Sequence, residues 1–306
     1  MLSIACALLV VVTACDQLGL GRGPRTAFSG ESALRYARIQ VEFGPRVPGT
    51  EAHRRAGDWI VEQMRARADT VIEQTWTHQT ANGVALPMRN ILARIRPDLS
   101  QRVLYVAHWD TRPVAEKAQR PEDRSRPIEG ANDGASGVAL LIALADALQE
   151  TPPQFGVDLL FVDGEDYGDF DTNTDVLIGS RYFARNLPSA DYRPIFGVVW
   201  DMVGAEGATF YQEGYSLQGA PEVVSRVWQT AADLGYSSIF VQRRGIPVTD
   251  DHLPMLEAGL RVIDVIDVNE STIRYPYHHT LEDTIDKLSP RTLQAVGDVA
   301  VSLVTP

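Results

Sequence analysis

The chain has 306 residues, a length that accommodates one large domain or two modest ones. Its 44% hydrophobic and 22% charged residues are ordinary for a globular protein, which argues against long disorder and against a multi-span membrane protein. The chain has 28 Lys and Arg residues and 40 Asp and Glu residues, which gives a formal net charge of −12. This surplus of acidic residues argues against a general nucleic-acid binder, because contacts to phosphate are made mainly by Lys and Arg.

The first 15 residues (MLSIACALLVVVTAC) form an uncharged, mostly apolar segment. It is too short to span a bilayer comfortably and it ends in small residues, as a secretory signal does. Its last four residues, VTAC, resemble a bacterial lipobox, in which the cysteine is lipidated. No Lys or Arg precedes the apolar run, so an ordinary export signal and a buried N-terminal helix stay open as alternatives.

We favour the lipoprotein interpretation, because residues 16–28 then form a polar, Gly-containing tether. It predicts a signal segment at 1–15, lipidation of Cys15, and a single domain at 29–306. The protein would be exported to a bacterial cell envelope or periplasm and held at a membrane by its lipid. Cys6 would leave with the signal, so the mature protein would have no disulfide.

Beyond the tether, short β-rich segments alternate with helical patterns. Strands are predicted at 70–76, 90–95, 102–107, 157–162, 196–200 and 260–268. Helices are predicted at 31–41, 50–67, 137–149, 180–186, 221–234 and 290–304. This alternation predicts an α/β fold with three layers, α/β/α, around a central, mostly parallel mixed sheet.

Polar side chains collect where the predicted strands end. His108 follows one strand, Glu165 and Asp166 follow the next, and Asp201 follows a third. Ligands of open α/β sheets bind beyond the carboxyl ends of the strands, so we expect these residues to form one site. Asp133 lies in a small-residue turn that opens a helix.

A late loop adds two adjacent histidines, His278 and His279. Together with the strand-end residues they form the set of N and O donors that zinc accepts. Taken singly, each has an ordinary alternative: a buried histidine, a helix cap or a solvated turn. Their joint placement at strand ends favours the metal site.

Several motifs identify a family. They are HWDTRP at 108–113, GANDGASG at 130–137, DGEDYG at 163–168, VTDDH at 248–252 and HT at 279–280, with GPR at 44–46 and PGT at 48–50. They resemble the zinc-dependent glutaminyl-peptide cyclotransferases (glutaminyl cyclases) of bacterial and animal type. These share their zinc-exopeptidase-like fold with the co-catalytic zinc aminopeptidases. The resemblance runs from about residue 29 to residue 303.

The resemblance to the cyclases implies one zinc per chain, bound by Asp133, Asp166 and His279. It implies Glu165 as general acid and base, and Asp201 and Asp250 as a pair that hydrogen-bonds near the reacting groups. The substrate would be a peptide or protein with N-terminal glutamine, cyclised to pyroglutamate with release of ammonia. Region 29–306 would then be the catalytic domain of a monomer.

The aminopeptidase pattern assigns the same positions differently. There Asp133 bridges two zincs, and His108 and Asp201 belong to the second metal. The Asp250-Asp251 doublet favours the cyclases over this alternative. A catalytically silent binding protein on the same fold ranks third, because Glu165 is present.

Four side chains are expected to form the substrate pocket: Trp109, Tyr167, Phe170 and His278. His278 stands where the cyclases usually have Trp, and Asp166 is shorter than the Glu common at its position.

Overall fold

The structure is a computed structural model and describes residues 26–306. The predicted signal segment, Cys15 and most of the tether lie outside the described residues. The helices are α1 (Gly30–Glu42), α2 (Glu51–Arg65), α3 (Ala135–Glu150), α4 (Ile178–Arg185), α5 (Gly214–Gly219), α6 (Pro221–Asp233), α7 (His252–Glu257) and α8 (Pro290–Ser302). The strands are β1 (Thr70–Gln79), β2 (Ala85–Ile95), β3 (Arg102–His108), β4 (Gly156–Val162), β5 (Phe196–Trp200), β6 (Phe210–Gln212), β7 (Phe240–Arg244) and β8 (Val262–Val265).

Local capping fixes where several helices begin. The side chains of Ser29, Thr50 and Ser289 accept hydrogen bonds from backbone N–H groups three residues later, at the starts of α1, α2 and α8. Pro290 occupies the first turn of α8, where a missing N–H costs nothing. These starts lie within one residue of the predicted ones.

The main sheet has the strand order β1-β2-β4-β3-β5-β8. Strand β3 runs parallel to both β4 and β5, and β5 runs parallel to β8. Strands β1 and β2 are antiparallel to their neighbours. The sheet is therefore mixed and mostly parallel, as predicted.

Both faces of the central strands are buried. In β3, Val103 and Tyr105 pack into the large core that includes α1, α3 and α8, while Leu104 faces the opposite core. That second core contains Phe183 of α4 and Met255 of α7. Helices thus cover both faces, and the continuous apolar runs in the sequence are the central strands of a three-layer α/β/α fold.

The prediction was incomplete in the second half of the chain. Strands β6 and β7 pair in a separate two-stranded sheet, and α5 and α7 are short helices that were not predicted. A three-residue strand and six-residue helices are too short to show a hydrophobic period. Strand β8 is also shorter than the predicted 260–268, because Leu260 still bonds back to Met255 of α7.

Within residues 26–306, none of the helices combines the length and the apolar character needed to cross a bilayer.

Candidate active site

The carboxyl ends of three parallel strands converge at one edge of the sheet. β3 ends at His108, Glu165 and Asp166 lie just after β4, and Asp201 directly follows β5. The parallel pairing of β3 with β4 and β5 places these ends side by side. The sheet topology therefore brings together the strand-end residues that the sequence singled out.

A glycine lets the turn before α3 approach the site closely. Gly134 follows Asp133 and has a φ of 94°, a backbone conformation that favours glycine. A Cβ at this position would lie 2.7 Å from the carbonyl oxygen of Asp110 and 3.2 Å from Cε1 of His108. The absence of a side chain thus allows Asp133 to lie next to His108.

Asp133 lies between two imidazoles. Its Oδ1 is 3.2 Å from Nε2 of His108, and its Oδ2 is 3.6 Å from Nε2 of His279. Nε2 of His108 is also 3.1 Å from Oδ1 of Asp201, and Nε2 of His279 is 3.3 Å from Oδ1 of Asp166. The five side chains form two donor groups that share Asp133.

These donors fit zinc. Zinc–ligand distances of about 2.0–2.2 Å place tetrahedral neighbours roughly 3.3–3.6 Å apart, which matches the spacings around His279. Oδ2 of Asp133 and Oδ2 of Asp166 are buried and have no hydrogen-bond partner among residues 26–306. Buried carboxylate oxygens without partners are costly unless a cation binds them.

A second layer of charged groups holds the donors. Arg112 donates to Oδ1 of Asp166 at 2.9 Å, and its Nε donates to Glu116 at 2.8 Å. Glu116 also contacts Nδ1 of His279 at 2.5 Å. One carboxylate therefore orients His279 directly and Asp166 through Arg112, an arrangement common around metal ligands.

Two further aspartates fix the backbone of the site, and the sequence analysis missed both roles. Asp110 accepts hydrogen bonds from the backbone N–H groups of Glu165 and Asp166, each at 3.1 Å. Asp283 accepts from the N–H of Asp133 at 3.1 Å and from the hydroxyl of Tyr275 at 2.7 Å. Neither the motif that contains Asp110 nor the sequence around Asp283 gave a signal of these contacts, most of which join segments distant in sequence.

Burial and like charges raise the pKa values of two carboxyl groups. Burial raises the pKa of Glu165 well above its ordinary value, with Asp166 and Asp250 adding repulsion and His108 opposing it. Burial likewise raises the pKa of Asp201 to about 7, against the hydrogen bond with His108. Such shifts suit groups that exchange protons near neutral pH.

Asp250 belongs to a third group of buried polar residues. It lies near His252 and Asp264, both of which are fully buried. Burial, followed by the charges of Asp250 and Glu213, raises the pKa of Asp264 well above its ordinary value. Asp264 therefore favours its neutral form in this position.

Three of the five donors, Asp133, Asp201 and His279, line a cavity of about 650 Å³, whereas His108 and Asp166 lie behind its wall. Its wall includes Asp133, Glu165, Asp201, Asp250 and His279, together with Phe170 and His278. Other lining residues were not predicted, among them Lys117, Met202, Ile246, Pro247, Val248, Thr249, Ile266 and Ile273. A cavity of this size accommodates the end of a peptide.

Two of the four residues expected in the pocket lie elsewhere. The indole of Trp109 is buried, stacks on His53 at 4.1 Å and donates to the carbonyl of Arg89. Tyr167 packs against a small cluster with Met88 and Ile178. Neither residue lines the cavity, because each packs instead against another part of the protein.

Comparison with known proteins places the chain in a family. A family model described as Peptidase family M28 matches residues 90–304. The chain belongs to this family. The crystal structure of Porphyromonas gingivalis glutaminyl cyclase is similar over 91% of this chain and 98% of that one, with 40% identity and a TM-score of 0.88.

Other proteins that are similar to this chain differ in the activity that their names state. A Zn-dependent exopeptidase from Parabacteroides distasonis covers 91% of this chain and 98% of its own, with 34% identity and a TM-score of 0.87. Bovine glutaminyl-peptide cyclotransferase is 25% identical over 288 residues, which are 83% of this chain and 76% of that protein. The chain spans about half the length (51%) of the aminopeptidase YwaD of Bacillus subtilis. The family and the fold that the motifs predicted are confirmed.

Proposed function

We propose that this M28-family enzyme is a glutaminyl cyclase, which converts the N-terminal glutamine of peptides and proteins to pyroglutamate and releases ammonia. The observation that carries the proposal is the 40% identity to the Porphyromonas gingivalis cyclase over nearly the whole of both chains. The buried Glu165, placed beside a donor set that fits zinc, is consistent with it.

Asp133, Asp166 and His279 would hold one zinc ion per chain. Zinc bound there would act as a Lewis acid on the side-chain amide carbonyl of the substrate glutamine. Arg112 and Glu116 would keep two of these ligands oriented in the absence of metal, since they already contact Asp166 and His279.

Glu165 would move the proton in this reaction. Its carboxylate takes a proton from the α-amine, whose nitrogen forms a bond to the side-chain carbonyl carbon of the same residue. The bond from that carbon to the amide nitrogen breaks, and Glu165 returns the proton so that ammonia leaves. Because both partners belong to one residue, holding the glutamine folded back supplies much of the rate.

Asp201 and Asp250 would accept hydrogen bonds from the amide nitrogen that leaves. Phe170 and His278, which line the cavity, would pack around the glutamine side chain. Cζ of Arg112 lies 5.6 Å from the ring centre of Phe170, a cation–π contact that holds the ring in the cavity wall. Water is then restricted near the carbonyl, where it would compete with the amine.

Paired peptides test the proposal. The purified protein, supplied with zinc, is incubated with two peptides that differ only in an N-terminal Gln or Leu, and products are followed by mass spectrometry. Loss of one ammonia from the Gln peptide alone supports a cyclase, and E165Q should bind zinc but lack turnover. Release of free Leu from the Leu peptide would reject the cyclase proposal.

A zinc aminopeptidase is the second candidate, and one observation favours it. His108, Asp133 and Asp201 form a complete second donor group, with contacts of 3.1 and 3.2 Å to Nε2 of His108. In that function the chain would hold two zincs, which metal analysis of the active protein would count. A silent binding protein ranks third and would require that neither peptide change.

We also propose that the catalytic region at 29–306 acts as a monomer on peptide substrates at a bacterial cell envelope. Its signal would end at residue 15 and its lipid would be attached to Cys15. A C15A variant should lose the mass of the lipid and leave the membrane fraction. A wild-type protein without lipid would contradict this.

A further inference from the structure

Two adjacent histidines approach the same carboxylate. Nε2 of His279 is 3.6 Å and Nε2 of His278 is 3.9 Å from Oδ2 of Asp133. Their ring centres are 3.7 Å apart. By distance alone, either imidazole qualifies as a ligand for a metal bound at Asp133.

The opposite nitrogens of the two rings contact side chains of opposite charge. Nδ1 of His279 lies 2.5 Å from Oε1 of Glu116, whereas Nδ1 of His278 lies 2.6 Å from Nζ of Lys117. The backbone N–H of Lys117 also donates to the carbonyl of His279 at 3.2 Å. Two consecutive residues of one loop therefore hold two consecutive histidines of another.

Hydrogen-bond chemistry then fixes a different tautomer for each ring. A carboxylate only accepts, so in the neutral ring of His279, the form that binds metal, the nitrogen that faces Glu116 carries the proton and Nε2 keeps a lone pair. An ammonium only donates, so its partner nitrogen in His278 is the acceptor and the proton is on Nε2. An imidazole nitrogen that carries a proton cannot bind a metal.

We propose that Glu116 and Lys117 assign separate roles to the two histidines. Glu116 makes His279 the metal ligand, and Lys117 makes His278 a hydrogen-bond donor at the cavity wall. The Nε2–H of His278 faces Asp133, where it can donate to the carbonyl oxygen of a bound substrate. This last step rests on the proposed function, whereas the tautomers and the choice of ligand do not.

Nuclear magnetic resonance of ¹⁵N-labelled, zinc-loaded protein tests the tautomers directly. Long-range proton–nitrogen correlations, assigned with H278Q, should show Nδ1–H in His279 and Nε2–H in His278. In K117M the Nδ1–H form of His278 should gain population relative to the wild type, because no ammonium then faces Nδ1, and in K117R the wild-type ratio should persist because arginine also only donates. A metal-bound Nε2 in His278 of the wild type, or an unchanged tautomer in K117M, would overturn the proposal.

Zinc affinity provides a second measurement without substrate. E116Q should raise the zinc Kd roughly tenfold or more, as loss of a carboxylate behind a ligand histidine typically does, and E116D should restore most of it. K117M should not weaken zinc binding. E122Q, an exposed change in the same loop, is the control. Equal zinc Kd values for E116Q and E122Q would remove Glu116 from its role.

Peptide assays separate this proposal from the proposed function. If the protein cyclises Gln peptides, K117M should raise KM or lower kcat severalfold while zinc content is unchanged. Unchanged kinetics would reject the hydrogen bond from His278 to substrate. If no peptide is cyclised and the tautomers are as expected, the proposed function fails and the assignment of the ligand stands.

Discussion

The buried carboxyl of Glu165 illustrates how surroundings set the chemistry of one residue. It is 6% exposed and lies among Asp166, Asp250 and Asp251, whose charges add to the effect of burial on its pKa. A glutamate in water, with its ordinary pKa, would be too weak a base to take a proton from the α-amine of the substrate. In this position its proton affinity is closer to that of the groups with which it exchanges.

This environment predicts the acid side of the pH profile. A general base works only when it is deprotonated, so kcat/KM should fall as the pH drops through the raised pKa of Glu165, well above the ordinary value for glutamate. The profile of kcat/KM against pH is measured with zinc content and circular dichroism checked at each pH. A plateau down to the ordinary glutamate pKa would contradict the assignment.

Asp133 is the one side chain that both donor groups share, and its replacement should remove metal binding of either kind. We expect D133N to lose stoichiometric zinc and the rise in Tm that zinc gives the wild type. D171N changes an exposed carboxylate of the same cavity and should keep both. Metal analysis and thermal unfolding with and without zinc check this. Retained zinc in D133N would count against both candidate metal patterns.

At the scale of elements, the site depends on how close the start of α3 comes to the end of β3. This approach depends on Gly134, where the backbone has a positive φ and a side chain would strike both Asp110 and His108. Strand β3 ends at one donor, His108, and the turn before α3 contributes another, Asp133, so the approach of the turn to the strand sets the distance between them.

Replacing Gly134 with alanine tests that dependence. Gly83 also has a positive φ, but nothing lies within 4 Å of the position of its Cβ, so G83A carries only the backbone cost of about 1–2 kcal/mol. G134A should lose at least twice as much free energy of unfolding and also bind zinc more weakly. Urea unfolding and zinc titration of both variants decide this. Equal losses would show that the close approach is not needed.

How far the sequence predicts this structure depends on the range of the interaction. Continuous apolar runs and helical patterns are local, and they placed the central strands and the starts of α1, α2 and α8. His108, Asp166 and Asp201 could be placed together from the sequence because they lie at or shortly after the ends of strands of one sheet, whereas Asp133 and His279 lie in loops and were found through the motifs. The roles of Asp110, Glu116, Lys117 and Asp283 were not accessible, since each acts through a partner that only the folded chain brings near.

The pocket residues show the same limit of prediction from sequence, at the level of single side chains. His108 and Trp109 are neighbours in a motif, yet one points into the site and the other packs against His53. Which side chain of a pair faces a cavity depends on the local backbone, and the motif does not state it. Trp109 and Tyr167 were expected in the pocket for that reason, and Lys117 was not.

Across the whole molecule, buried titratable groups make stability depend on pH. In the metal-free protein the pKa values of Asp264 and Asp283 are raised by burial, the latter to about 7, and that of His279 is raised to about 9 by carboxylates that outweigh its burial. A folded-state pKa above the unfolded one contributes stability that is lost as pH rises. His278, whose burial lowers its pKa, works in the opposite direction.

We therefore expect the free energy of unfolding of the metal-free protein to decrease from pH 5 to pH 8. D264N should flatten this dependence and raise stability at pH 8, because asparagine, unlike Asp264, does not have to take up a proton when the chain folds. Urea unfolding of the wild type and of D264N at several pH values, in the presence of a chelator, measures the pH dependence and the effect of the substitution. Stability that rises over this range, or a D264N variant that is less stable at pH 8, would contradict the expectation.

The hydrogen bond from the backbone of Asp133 to Asp283 joins positions that are 150 residues apart. A hydrogen bond between the side chains of Glu116 and His279 joins positions that are 163 residues apart. During synthesis, therefore, about the first nine-tenths of the 306-residue chain emerge without Asp283 and His279. A zinc ion held as proposed by Asp133, Asp166 and His279 would gain its full ligand set only after this last segment has arrived and docked.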